Sequence, residues 1–208
     1  MRPTILLVLV GVLAACVQGQ GPMIGETREV GTFSRIEVTA GIRVAVRIGP
    51  AEPIEITAHE NLLPVIATDL SGDVLRIEAS QDFTTLEPVT VTVVVPALDG
   101  MTLSGGSQAV IEGLDAQSLE LSIRGGAQVT AAGSVHSVTL EADGGATAML
   151  GDLSARVATV SMEGGATATV TASDKVTGTA AGGSRLIVSG DAEVSVEESG
   201  GSVVARGG

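Results

Sequence analysis

The sequence has no tryptophan, no tyrosine and only 2 phenylalanines among 208 residues. Each aromatic side chain can bury about 150–250 Å² of surface, so the core of this protein must be filled by Val, Leu, Ile and Ala instead. Apolar residues still make up 44% of the chain, which excludes disorder on grounds of composition. The lack of Trp and Tyr also removes the flat side chains on which many proteins stack sugars.

Basic residues are scarce as well, with 11 Lys and Arg against 24 Asp and Glu, and the formal net charge is −13. A surface of this sign repels phosphate groups, so we expect no binding of nucleic acid. An anionic membrane leaflet is a poor electrostatic partner for the same reason. Solubility is the simplest consequence of the charge, and collection of divalent cations is the alternative.

Cys16 is the only cysteine, which excludes an intramolecular disulfide. Arg2 is followed by an apolar run from Ile5 to Leu13, which is shorter than the ~20 residues needed to span a bilayer but suits a secretory signal. The letters "LAAC" that end at Cys16 resemble a bacterial lipobox, in which the cysteine is lipidated and begins the mature chain. We predict a signal peptide over residues 1–15 and lipid attachment at Cys16; a cleaved signal followed by a stray thiol is the alternative.

The segment after the signal, residues 16–31, contains Gly, Gln, Pro and charges without a hydrophobic period. Such a composition predicts a flexible tether behind the lipidated N-terminus. Val17 follows the cysteine, and the absence of Asp at this position favours the outer membrane by the usual sorting rule in Gram-negative cells. The predicted contact with the membrane is through the lipid alone.

Gly-Gly pairs recur every 18–20 residues through the second half of the chain. Apolar and polar residues alternate with a period of two on both sides of each pair, which indicates β-strands with one buried face. Each pair is therefore predicted to be a corner, where a Cβ would hinder a positive φ or a close backbone approach. The predicted corners are Gly41, Gly105, Gly106, Gly125, Gly126, Gly144, Gly145, Gly164, Gly165, Gly182, Gly183, Gly200 and Gly201.

The repeat predicts an all-β fold, a parallel β-helix or β-solenoid with coils of about 20 residues. A single repeat cannot fold alone, because ordering 20 residues costs about 20–30 kcal/mol of conformational entropy. Burial of the few small apolar side chains of one repeat offsets only part of this cost. Stacked coils would lie about 4.8 Å apart, so Gly144 and Gly164 should be neighbours within roughly 10 Å. An antiparallel sandwich of hairpins is the alternative, although like residues recur at like positions without mirroring across turns.

The predicted solenoid domain covers residues 32–208, with an irregular first part (32–100) and regular Gly-Gly repeats (101–208). The letters "IEVTAGIRVAV" align with "LSIRGGAQVTA", so the repeat begins near Ile36. Further strands are predicted at about 54–58 and 74–79, and another within 89–100 that ends at a proline. Between them, "ENLLPVIATDL" (60–70) predicts a short helical turn or a loop.

The runs "FSRIEVTAGIRVAVRIG", "IEITAHENLLPVIAT" and "GDVLRIEA", with a lipobox before them and Gly-rich repeats after them, resemble the bacterial putative auto-transporter adhesin head GIN domain family. The resemblance covers residues 33 to about 206. The family is named after a Gly-Ile-Asn motif, which stands here as Gly41-Ile42-Arg43, so Arg43 removes any corner hydrogen bond of the Asn amide. The resemblance implies a β-helical envelope protein and implies no catalytic residues.

No motif of catalysis or metal binding stands out in the chain. The two histidines, His59 and His136, are far apart in sequence and are predicted to be surface residues. The chain lacks a G-x-S-x-G elbow, H-E-x-x-H, paired Cys ligands, a P-loop and the nine-residue period of calcium-binding repeats. Glu141, Asp143 and Glu163 on adjacent coils are weak candidates for holding Ca²⁺, with a solvated acidic face as the alternative. No cofactor is predicted.

These features together predict a lipid-anchored β-solenoid of the cell envelope that serves as a structural or adhesion module without catalysis. The alternative is a β-helical polysaccharide-active enzyme, which would need a cluster of acid and base groups on one face. The expected partner is a protein or glycan at the cell surface. Homo-oligomers are also expected, because "SVVARGG" leaves a strand edge and Val110, Met149 and Ile187 share an outward column.

Overall fold

The structure is a computed structural model that describes residues 16–207, so the predicted signal peptide lies outside the described residues. Within them the chain is almost entirely β-structure, with one short 3-10 helix at Leu63–Val65. The strands are β1 (Val17–Gln18), β2 (Met23–Arg28), β3 (Arg35–Val38), β4 (Arg43–Ile48), β5 (Ile54–His59), β6 (Ile66–Ser71), β7 (Val74–Ala79), β8 (Phe83–Thr84), β9 (Thr90–Val95), β10 (Gly100–Leu103), β11 (Gln108–Gly125), β12 (Gln128–Gly144), β13 (Thr147–Met162), β14 (Thr167–Ala180), β15 (Arg185–Ser189), β16 (Glu193–Glu198) and β17 (Val203–Arg206).

The second half of the chain is a stack of parallel strands whose register repeats from coil to coil. Strands β11 to β14 are 18, 17, 16 and 14 residues long and continue around the coil from one Gly corner towards the next. Each pairs in parallel with the next one, for example Ala109 with Val129 and Val129 with Ala148. The predicted β-solenoid with a repeat near 20 residues is therefore confirmed, and these parallel pairings contradict the antiparallel sandwich.

The interior of the solenoid is filled by the inward members of the alternating pattern. In β12, for example, Val129 and Ala131 are fully buried, while the intervening Thr130 is only half-buried. Such alternation places every second side chain outside, because successive Cβ atoms in a strand point to opposite faces. The buried side chains form one continuous cluster from Phe33 to Ala192.

The order of coils in the first half differs from their order in the sequence. Strand β3 lies between β10 and β7, and β4 lies between β11 and β9, with parallel pairing on both sides. Ile36 pairs with Met101, which pairs with Leu121, as the alignment of the first repeat predicts. The chain between β4 and β10 therefore builds the coil on the other side of β3 and β4 before it returns to start the regular stack.

Antiparallel strands extend the sheet at the end of the solenoid built by the first half. Strand β5 pairs with β9 and β2 pairs with β5, while β6 pairs with β7. The predicted strands near 54–58, 74–79 and 89–100 correspond to β5, β7 and β9. The segment 60–70 contains the expected helical turn, but it continues as β6 instead of remaining a loop.

The prediction of a flexible tether at residues 16–31 is wrong, because most of this segment is built into the fold. Strand β2 is fully paired with β5, and β1 pairs with β8. The guanidinium group of Arg28 also donates hydrogen bonds to the carbonyl oxygens of Leu63 and Ile66, at 3.1 and 2.7 Å. The strand partners of this segment lie 26–36 residues away for β2 and 66 residues away for β1, so its local composition does not indicate the pairing.

Candidate interaction surfaces

The Gly corners line one edge of the stack, and the first glycine of each Gly-Gly pair from Gly105 onwards has a positive φ, between 62° and 75°. The predicted need for glycine is wrong at Gly126, which has neither a positive φ nor a heavy atom within 4 Å of an added Cβ. Gly144 and Gly164 lie on adjacent coils: a Cβ added to Gly164 would stand 2.9 Å from the backbone nitrogen of Gly144. This close approach matches the predicted distance between the two glycines. At the first corner Ala40 takes the same backbone conformation, with φ 65°, ahead of Gly41.

The weak metal candidates Glu141, Asp143 and Glu163 border one shallow opening beside this edge. Arg124 lies among them, with its Nη2 atom 3.9 Å from Oε2 of Glu141. The Oδ1 atom of Asp143 accepts a hydrogen bond from the backbone N–H of Gly144 at 2.6 Å. Within residues 16–207, no group of three or more His, Cys, Asp or Glu side chains is arranged to hold a metal ion. The fold therefore brings the three carboxylates to one rim without forming a coordination site.

Cys16 is exposed and lies immediately before β1. Because β1 pairs with β8, the described chain enters the folded domain within one residue of this cysteine. The nearby His59 has its Nδ1 atom 2.8 Å from the carbonyl oxygen of Gly21, which ties the N-terminal segment to β5. In residues 16–207 no helix has the length and apolar character required to span a membrane.

A polar cluster on the side of the coils opposite the Gly corners includes His136, Arg156 and Asp174. Nε and Nη2 of Arg156 donate to Oδ2 of Asp174 at 3.0 and 2.7 Å. A hydrogen bond from the Ser173 hydroxyl and those from Arg156 hold the pKa of Asp174 below its usual value. Sequence reasoning missed this cluster, although its members recur at intervals near 20 residues and could have been found by the same spacing as the corners.

The outer face of the strands that precede the corners is called the pre-corner face; it consists of β7, β3, β10, the later parts of β11 to β14, and β16. Gly100 leaves a notch of about 390 Å³ in this face. Arg35 crosses the notch and donates from Nη1 to Oε2 of Glu120 at 2.9 Å. Arg76 pairs with Glu37 at 3.1 Å. Both of these arginines are therefore paired with a carboxylate on another strand.

The outer face of the strands that follow the corners is called the post-corner face; it consists of β9, β4, the first parts of β11 to β14, β15 and β17. Parallel pairing arranges its outward side chains in straight columns. The polar column consists of Arg43, Gln108, Gln128, Thr147, Thr167 and Arg185. The methyl column, in which every side chain carries a methyl group, consists of Ala45, Val110, Thr130, Met149, Thr169 and Ile187.

The methyl column contains the three residues that the sequence placed on one outward line, Val110, Met149 and Ile187. Val110 and Met149 are 42% and 46% exposed, whereas Ile187 is partly buried. Both columns continue to Thr90 and Thr92 on β9 at one end. At the other end they reach β17, where Val203 is also exposed.

Comparison with known proteins agrees with this architecture. A family model described as "Putative auto-transporter adhesin, head GIN domain" matches residues 32–192. A putative adhesin from Bacteroides fragilis has a similar structure, with a TM-score of 0.75 and 16% identity over 91% of this chain and 99% of that one. A search of curated proteins finds no match.

Two further solved structures come from Parabacteroides distasonis. One is described as a putative adhesin, with a TM-score of 0.59 and 15% identity over 93% of this chain and 100% of that one. The other is described as a putative lipid binding protein, with a TM-score of 0.56 and 14% identity over 93% and 100% of the two chains. At these identities the likeness concerns the fold.

Proposed function

Because the chain belongs to the putative auto-transporter adhesin, head GIN domain family, we propose that it is a lipid-anchored module of the cell envelope that mediates attachment without catalysis. The proposal includes export by the signal in residues 1–15, lipidation of Cys16 and residence at the outer membrane. It is supported first by the family, whose description names an adhesin. It is supported second by the position of Cys16 relative to the fold.

The position of Cys16 is the observation that carries the proposal. Cys16 is exposed and directly precedes β1, which pairs with β8 in the first half of the solenoid. A lipid on this residue holds the first-half end of the solenoid close to the membrane. The regular repeats then extend away from the membrane, with the faces of the coils presented to the surroundings.

Metabolic labelling with radioactive palmitate tests the anchor. We expect wild-type protein to carry the label and to sediment with membranes, whereas a Cys16→Ser variant carries none and becomes soluble. A Gln20→Ser variant, altered at a nearby exposed residue, is the control and should behave as wild type. Equal labelling of wild type and Cys16→Ser would overturn lipidation at this residue.

Attachment itself is tested with cells that display the protein. Cells with wild-type protein should adhere to a host-cell or polysaccharide-coated surface more than cells with the Cys16→Ser variant, at equal amounts of protein. The reason is that an unanchored module cannot transmit adhesion to the cell. Equal adhesion of the two strains and of a strain without the protein would contradict an adhesive role.

A further inference from the structure

We propose that the post-corner face binds an uncharged linear polysaccharide, which lies along the solenoid axis with its rings over the methyl column and its hydroxyl groups on the polar column. The proposal deepens the proposed function, on which it rests, because it names the class of partner that the adhesive module contacts. Four properties of the face support it: charge, chemical asymmetry, periodicity and size.

The charge of the face favours an uncharged partner. The chain has 24 acidic residues and a net charge of −13, yet neither of the two columns contains one; the next outward residue of β11 after Val110 is Glu112, which lies opposite Arg47 of β4. The only charged members are Arg43 and Arg185, near opposite ends of the polar column. A polyanion is repelled by the field of the whole protein, and a polycation finds no carboxylate in either column. A neutral polymer meets neither obstacle.

One column is largely apolar and the other polar, as are the C–H faces and the hydroxyl rim of a sugar ring. A pyranose ring has hydrophobic C–H faces and a rim of hydroxyl groups that both donate and accept hydrogen bonds. Val110 and Met149 in the methyl column present exposed apolar surface. A ligand that covers this surface removes it from water, which stabilises the complex. In the polar column, the Gln128 amide can donate and accept, and Gln108, whose Oε1 accepts from Nε of Arg43 at 3.1 Å, keeps its NH₂ group as a donor. A sugar chain above the columns can use both.

The periodicity of the face suits a polymer more than a small ligand. Parallel pairing repeats the same two outward positions from β4 to β15, over about 24 Å at ~4.8 Å per strand. Without Trp or Tyr in the chain, each sugar is held weakly. Many weak contacts within one chain add up because each contact raises the effective concentration for the next. Affinity should therefore increase steeply with the length of the polysaccharide.

The size of the face disfavours a second copy of this chain as the occupant. Even with β9 and β17 included, two columns cover about 34 Å by about 13 Å, or roughly 450 Å². A stable dimer buries about 800 Å² on each partner.

Affinity electrophoresis of the full-length, detergent-solubilised protein tests the proposal. The gels contain a soluble glucan, a mannan or a galactan, each in short and long chain lengths, and alginate serves as the polyanion. The test variant is Thr130→Glu/Thr169→Glu, which places carboxylates on both sides of Met149 in the methyl column. The matched control is Thr139→Glu/Thr177→Glu, which flanks Thr159 on the pre-corner face of the same stack.

We expect at least one of the long neutral polysaccharides to retard the wild-type protein in the gel. Shorter chains of the same polysaccharide should retard it less, and alginate should not retard it. The test variant should bind about tenfold more weakly or worse, because its carboxylates must be desolvated without a partner. The control variant should bind as wild type, and circular dichroism should show both variants folded.

Three results would overturn the proposal. One is that none of the neutral polysaccharides retards the wild-type protein; another is that both variants lose binding equally. The third is concentration-dependent dimerisation by analytical ultracentrifugation that only the test variant abolishes, which would make a second copy the occupant. If cells adhere through the protein while none of the neutral polysaccharides binds or competes, the adhesive function stands and this inference fails.

Discussion

The two halves of the solenoid fill their interiors differently. Between Phe33 and Leu98 the buried hydrophobic side chains are Ile, Leu, Val and Phe, with Ala58 as the one alanine. Beyond that stretch, many inward positions are occupied by alanine, among them Ala127, Ala131, Ala146, Ala148, Ala158, Ala166 and Ala168. The first half is therefore stabilised mainly by side-chain volume, while the second depends more on backbone ladders between closely stacked coils.

This difference determines which kind of substitution each half tolerates. Removal of volume leaves a cavity where a large side chain is buried, so truncation should be costly in the first half. Addition of volume forces apart coils that already touch, so enlargement should be costly in the second half. Because the chain has no tryptophan, the free energy of unfolding is best followed by circular dichroism in urea.

The largest effect is expected from Gly178→Ala in the second half. Gly178 has φ 137°, and a Cβ atom there would overlap the carbonyl oxygen of Val160 on the adjacent coil. We expect a loss of more than about 4 kcal/mol in the free energy of unfolding, or no folded protein. Gly126→Ala is the control, since no heavy atom lies within 4 Å of the added Cβ. Similar stability of the two variants would contradict close stacking at this point.

The next largest effect is expected from Ile56→Ala in the first half. Ile56 is fully buried on β5, and its truncation should cost about 2–5 kcal/mol. Ile24→Ala on the neighbouring β2 is the control, because Ile24 is 38% exposed and should change stability little. If both variants unfold at the same urea concentration, side-chain volume does not dominate in this half.

Ala168→Leu should destabilise the second half by about 1–3 kcal/mol through overpacking. Ala168 is fully buried and paired on both sides, with Ala148 and Leu186. Thr169→Leu places the same side chain one position along the strand, on the outside, and should be nearly neutral. A stabilising effect of Ala168→Leu in urea unfolding would show that the thin interior contains unfilled space.

A smaller difference in the free energy of unfolding is expected between alanine substitutions at Ser107 and Ser184, which each directly follow a Gly pair. The buried Ser107 hydroxyl donates to the carbonyl oxygen of Ser104 at 2.6 Å, whereas the buried Ser184 hydroxyl has no hydrogen-bond partner within residues 16–207. Ser184→Ala should therefore be neutral or stabilising by up to about 1 kcal/mol, and Ser107→Ala should be destabilising by about 1 kcal/mol. Equal losses in urea unfolding would indicate that Ser184 is satisfied in solution.

The smallest effect is expected at the exposed pair of Arg156 and Asp174. Hydrogen bonds from Ser173 and Arg156 lower the pKa of Asp174 in the folded state. Its contribution to stability is therefore complete above the ordinary carboxyl pKa of about 4 and is lost as the pH falls through the lowered value. Asp174→Asn should be slightly less stable than wild type at pH 7 and equally stable in acid. A difference in urea midpoint that persists in acid would contradict the electrostatic origin.

The regular half was predictable because its information is local and repeated. Alternation assigned Val129 and Ala148 to the interior, and the spacing of the Gly pairs placed Gly144 beside Gly164, as the structure has them. The outward line of Val110, Met149 and Ile187 followed from the same spacing. Composition alone did not predict that the polar and methyl columns of the post-corner face contain no acidic residue, because the columns are defined only by the alignment of neighbouring strands.

The first half was harder to predict because its pairing partners are distant in sequence. Nothing near β2 indicates that it pairs with β5, and nothing near β7 indicates that it lies beside β3. The three carboxylates of Glu141, Asp143 and Glu163 were correctly expected near one another, but the position of Arg124 among them depends on the register of adjacent coils.

The sequence by itself determined the class of fold, the period of the coils, the corner positions and the side of each strand that faces inward. These follow from two local rules: side chains alternate across a strand, and glycine is needed where the backbone turns with positive φ or approaches closely. Only the tertiary structure decided the order of coils in the first half, the pairing of the N-terminal segment and the charge of each outer face. Those properties depend on which distant strands hydrogen-bond to each other, and that choice is made by the packing of the whole chain.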